Sequence, residues 1–183
     1  MKHFLVCIGL MVCSLIHAQD YRAFVLEGKT WECRYNNGRD NAYNVTYYFS
    51  GDTIVDNRTC KKMYSYNYYN DATLRYVAAL YEQDRRVYAC PVNSNDFNLL
   101  YDFGMQLNDE ITEKSESPNV EDKVHKVISV GTIIIRDRSY KCISLALFHG
   151  EQMIALTPWI ERVGGGYLPL LPYGWNSWGN LYI

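Results

Sequence analysis

The stretch TIIIRDRSYKCISLALF, Thr132 to Phe148, decides the fold. On its second arm Lys141, Ile143, Leu145 and Leu147 fall at every second position. A two-residue rhythm is that of a strand with one dry face. The first arm, Thr132 to Ile135, holds residues that favour a pleated, half-buried surface. Arg136-Asp137-Arg138 between the arms is too short for anything but a tight reversal, so the whole stretch reads as a β-hairpin.

The same figure recurs outward from it. Thr53–Val55 and Thr59–Tyr64 flank Asp56-Asn57-Arg58, and Leu74–Glu82 and Arg86–Cys90 flank Gln83-Asp84-Arg85. Thr30–Tyr35, Asn44–Phe49, Asn98–Phe103, Val124–Val130 and Gln152–Leu156 read as further strands, with Met105–Ile111 extended. Ser50-Gly51-Asp52 reads as a turn, and Tyr66–Asp71 and the acidic Thr112–Asp122 as loops. Short strands joined tightly make an antiparallel meander, because neighbours in sequence pair in space. The expectation is an all-β domain. Barrel-like closure is favoured over a two-sheet β-sandwich, since a long open meander exposes two edges.

MKHFLVCIGLMVCSLIHAQD at the start has a basic end, an apolar run from Phe4 to Ile16 and a small residue, Ala18, before polar sequence. That is the layout of a secretory signal peptide over residues 1–18. The remainder, 19–183, reads as a single exported β-rich domain with an aromatic C-terminal tail and no transmembrane segment. Location is then periplasmic, cell-surface or fully secreted. Lys and Arg number 18 against 20 Asp and Glu, without a basic stripe, which argues against nucleic acid.

Four cysteines lie beyond the leader: Cys33, Cys60, Cys90 and Cys142. In an exported chain they permit two disulfides in three connectivities. The rival reading is four small hydrophobes on separate strands. Their spacing fits no zinc knuckle, and no metal or cofactor is expected.

Near the end stands WIERVGGG, Trp159 to Gly166. A phosphate cradle would need a helix to follow the glycines, and Pro169 and Pro172 preclude one. The glycines read instead as a sharp reversal where positive φ or close backbone approach is required. Leu168, Leu170 and Leu171 would then fold back as a plug on one barrel end.

The pieces GDTIVDNRTCKKMY, YVAALYEQDRRVYAC, NLLYDFGMQLNDEI and WIERVGGG, in this order, resemble a group of secreted Bacteroidetes proteins with no established activity. Those read roughly GDT-x-INGK-x-Y-K-K, Y-x-G-x-LRE-x-x-x-KVY, LLYDF-x-L-x-x-GD and WIEGIGS-x-x-GLL. The resemblance spans about Trp31 to Leu171 and implies export and a β-rich fold. It carries no catalytic residues. This chain departs from those motifs in holding Asn108 and Arg162 where they have glycine.

Glu82, Asp102 and Glu161 match the acidic positions of those motifs. Asp102 and Glu161 on one barrel mouth would form the carboxylate pair of a glycan-cleaving hydrolase. The plainer reading is that such acids accept backbone or arginine hydrogen bonds, with Arg75, Arg85, Arg86 and Arg162 to hand. His125 and His149 read as surface residues. The better lead is aromatic. YSYNYYND and YGWNSWGN interleave rings with amides, a combination suited to a sugar face or a peptide. Tyr66, Tyr68, Trp175 and Trp178 are the candidate contacts. The sequence thus favours a non-enzymatic binding or interaction module whose partner is a glycan, peptide or protein, with a hydrolase or a structural envelope protein as alternatives.

Overall fold

The structure, a computed structural model, describes residues 21–36, 42–67, 73–113, 121–165 and 179–181. It is all-β and built as two curled antiparallel sheets, each a half-barrel. Strands β1 (Thr30–Asn36), β2 (Ala42–Val55), β3 (Arg58–Asn67), β4 (Thr73–Gln83), β5 (Arg86–Pro91) and β6 (Asn98–Asp102) lie side by side in chain order. They form sheet A, with β12 (Gly179–Leu181) added beside β1. Strands β7 (Glu110–Glu113), β8 (Lys123–Ile135), β9 (Arg138–His149), β10 (Gln152–Ile160) and β11 (Gly164–Gly165) form sheet B, again in chain order.

The hairpins sit where turn chemistry puts them. Asp56-Asn57, Asp84-Arg85 and Arg136-Asp137 are two-residue loops with positive φ at both positions. That conformation matches the right-handed twist of the flanking strands. The turn read at Gly51 is not a break, and neither is the gap left between Val130 and Thr132. β2 runs through Gly51 (φ 72) with a register shift between Phe49 and Asp52, and β8 runs through Gly131 with a shift at Ile128. A bulge lets a strand bend without ending. Two further corrections concern ends. β3 continues through Tyr66 to Asn67, and Met105–Asp109 is not extended but turned, with Asn108 at φ 72. Both positions that lack the motif glycine, Asn108 and Arg162 (φ 68), are left-handed.

The inner faces enclose one aromatic core. Phe24, Trp31, Phe49, Tyr101, Phe103 and Trp159 pack with ring centroids between 5.1 and 6.4 Å apart. Ile143, Leu145 and Val127 face them from sheet B. The alternation read on the 139–148 arm is correct. Ile143, Leu145 and Leu147 are buried, and Lys141 turns the same way to donate to the carbonyls of Phe103 (2.7 Å) and Met105 (3.3 Å).

That lysine closes one seam between the sheets. The Trp31 indole closes the other, donating to the Val163 carbonyl at 2.8 Å. Through the middle runs the segment before β1. Phe24 in it is fully buried, and its neighbours' amides are held by carboxylates from both sheets. Arg22 N–H donates to Glu161 (2.8 Å), just past β10, and Val25 N–H to Glu82 (3.0 Å) on β4.

Gly164 shows why glycine stands after WIERV. Its φ is 104, and a Cβ there would lie 3.0 Å from a Phe24 ring carbon and 3.1 Å from the Tyr101 hydroxyl. Gly165 N–H then donates to that hydroxyl at 2.8 Å. Positive φ and close approach are both present, as the sequence required. The proposed leucine plug (168, 170, 171) and the signal peptide lie outside the described residues.

Candidate functional site

The acidic residues come first, because they carry the hydrolase reading. Asp102 accepts from Arg86 Nε at 2.8 Å and from Gly104 N–H at 2.8 Å. Glu161 is buried and holds Arg22 N–H. Glu82 holds Val25 N–H, and burial pushes its carboxyl above the ordinary range, opposed by the Val25 and Phe24 amides. Each acid thus serves a strand end, a turn or the threaded segment. Backbone and arginine donors hold one oxygen or both of each, in line with the plainer reading, while the buried Glu82 Oε1 is left without a hydrogen-bond partner.

None of the four cysteines beyond the leader is bridged. All four are free. The register gives the reason. Cys60 is on β3 and Cys90 on β5, with β4 between them, Cys33 points into the core from β1, and Cys142 sits on β9 of the other sheet. Disulfide geometry needs facing, adjacent positions. The two-disulfide expectation is therefore corrected to small, mostly buried thiols. Burial pushes Cys33 up to about 12 and raises Cys60 and Cys142, so the thiolate is disfavoured.

His149 is exposed, whereas His125, expected at the surface, is 1% exposed and lies 3.0 Å from a Glu113 carboxylate oxygen. Strand alternation turns it inward beside Val127. Among the described residues no group of three His, Cys, Asp or Glu side chains could hold a metal ion. No helix among them is long and apolar enough to cross a membrane.

Of the aromatic candidates, Tyr66 is described; Tyr68, Trp175 and Trp178 lie outside the described residues. Tyr66 is half-buried on β3 and, by alternation, shares the outer face with Tyr64. Register then extends the row. Tyr64 faces Tyr48 on β2 and Tyr76 on β4, with centroids 5.7 Å apart on each side. Tyr48–Tyr64 are stacked at 24° and Tyr64–Tyr76 tilted at 53°.

Further along the same face Tyr81 and Tyr88 stack at 4.8 Å and 10°. Phe97 closes on the Tyr81 edge, and Arg58 lies 5.0 Å above the Tyr81 ring. Between the two groups sit Cys60, Ala79 and Cys90, which let the rings lie close to the sheet. The tyrosines are all half-buried, with part of each ring packed and part left exposed.

Sequence reasoning found one member of this row and missed the rest. Tyr48, Tyr64 and Tyr76 look like ordinary strand tyrosines until pairing brings them into line. The signal available was their common parity on β3 and β4, which needs the register to be read. No protein family, no curated protein and no solved structure matches the chain.

Proposed function

We propose that this chain is an exported, non-enzymatic binding domain whose outer tyrosine face takes a glycan, acting outside the inner membrane. The row Tyr48–Tyr64–Tyr76, with Tyr66 beside it, is the observation that carries this reading. Half-exposed rings offer apolar area for the C–H face of a sugar. Their hydroxyls, with the Thr46 side chain opposite Tyr66 on β2, offer hydrogen bonds at the rim. The leader-like start of the chain supports export. The non-enzymatic part is supported by the acids, which are committed to amides and to Arg86.

A glycan array followed by calorimetric titration of the hits tests the proposal. Expected is retention of neutral oligosaccharides, lost in a Tyr64→Ala/Tyr66→Ala variant that still folds. Equal binding by that variant refutes it, as does retention of peptides alone.

A further inference from the structure

A second region of the molecule is charged where the tyrosine face is not. At the seam between β1 and the tip of the β8–β9 hairpin lies a cavity of about 750 Å³. Arg136 and Arg138, from the hairpin tip, and Arg162, from the turn after β10, line it. None of the three guanidinium groups has a carboxylate partner among the described residues. Two acids also line the cavity. Glu27 is already held by Lys61 (3.0 Å) and by Gly51 N–H, which leaves Glu32 on the exposed side of β1. The balance of uncommitted charge is therefore positive.

Much of the rest of the lining is apolar. Leu26, Trp31, Ile135, Tyr140 and Val163 supply it, and Ile134 next to the tip is 74% exposed. The floor is fixed by Lys29. Its amine donates to the carbonyls of Phe24 and Arg162 and lies 4.4 Å from the Phe24 and Trp31 ring centroids. Arg162 is held there at a φ of 68, a conformation unfavourable for a side chain of its size. A pocket of this volume suits a small organic molecule, and guanidinium forks match carboxylate, sulfate and phosphate.

We infer that this cavity binds an amphiphilic organic anion, its head on Arg136, Arg138 and Arg162 and its apolar body along Trp31 and Leu26. Neither the tyrosine face nor its glycan is needed for this site. Head and body are both required. A bare anion would leave the apolar wall wet, and a neutral amphiphile would leave the arginines without a partner.

Calorimetric titration of the purified chain with decanoate, decyl sulfate, decanol, decyltrimethylammonium and acetate tests it. Decanoate and decyl sulfate are expected to bind on the order of tenfold or more tighter than the other three. Two variants localise the head. Arg136→Asn/Arg138→Gln keeps a residue tolerant of positive φ in the turn, and Arg162→Gly keeps the left-handed backbone. Each is expected to weaken decanoate on the order of tenfold while the thermal midpoint changes little. The inference is overturned if either folded variant binds decanoate as the parent does. It is also overturned if the cationic or neutral amphiphile binds as tightly, or if decanoate gives no binding at millimolar concentration. Sedimentation with phosphatidylglycerol vesicles separates the sources of such an anion. Binding there in preference to free decanoate would overturn a soluble ligand in favour of a membrane surface.

Discussion

The molecule carries two sets of aromatic rings, one turned into the core and one along the outer face of sheet A. Inside, Phe24, Trp31, Phe49, Tyr101, Phe103 and Trp159 are almost wholly buried and touch one another across both sheets. Outside, Tyr48, Tyr64, Tyr66, Tyr76, Tyr81 and Tyr88 lie half-open along sheet A. The inner set is mostly Phe and Trp, which bring area with little polarity to satisfy. The outer set is all Tyr, whose hydroxyl can stay wet. Burial converts ring area into stability, whereas a half-open ring keeps area in reserve for something else. The same residue class therefore serves the fold in one place and is available to a ligand in the other.

Substitutions across the two sets would break this contrast if it is wrong. The largest effect is expected from Phe24→Ala, about 3–5 kcal/mol of stability, because the ring is fully buried and touches four other rings. Denaturant unfolding reads it, and a loss below about 1 kcal/mol would show that the threaded segment contributes little. Gly164→Ala should cost about 2–3 kcal/mol by the same measurement, since a methyl group must meet Phe24 and Tyr101 at a φ of 104. Tyr101→Phe removes the acceptor of the Gly165 N–H, and about 1–2 kcal/mol is expected.

Tyr64→Ala on the outer face should cost below about 2 kcal/mol, the worth of its two cross-strand ring pairs, yet abolish glycan retention. A large loss of stability there would make the outer row part of the fold.

One effect is separable by pH. Burial, and secondarily Arg162, pushes the Lys29 amine down to about 6. The unfolded chain then binds more protons between about pH 6 and the ordinary lysine value, so stability rises with pH across that window. Lys29→Met should flatten the slope, as followed by denaturation midpoints at a series of pH values.

The fold was legible where its causes are local. The Asp-Asn, Asp-Arg and Arg-Asp reversals and the two-residue rhythm around Ile143 and Leu145 fix the hairpins, because a tight turn and its two arms lie within a few residues. Gly164 was legible by elimination, since the prolines behind it forbid a helix. Other features depend on partners far along the chain. Arg22 meets Glu161 and Val25 meets Glu82 at separations of 139 and 57 residues. No nearby pattern announces either contact. Gly51 misled because a glycine in a strand signals equally a turn or a bulge. The tyrosine row was half-visible. Tyr66 stood out in a ring-rich stretch, while Tyr48 and Tyr76 acquire meaning only through register.

The segment around Phe24 has a bearing on how the molecule is made. It precedes every strand in chain order, yet its seat is completed only when Glu161 and Gly164, more than 130 residues further on, are in place. Adjacent hairpins can zip as they emerge, because each needs only its neighbour. A piece that stands ahead of all the strands is thus the latest able to settle, and until then a bare phenylalanine waits in water. Slow docking of that piece would set the final phase of refolding, and its release would open the route back to the unfolded chain.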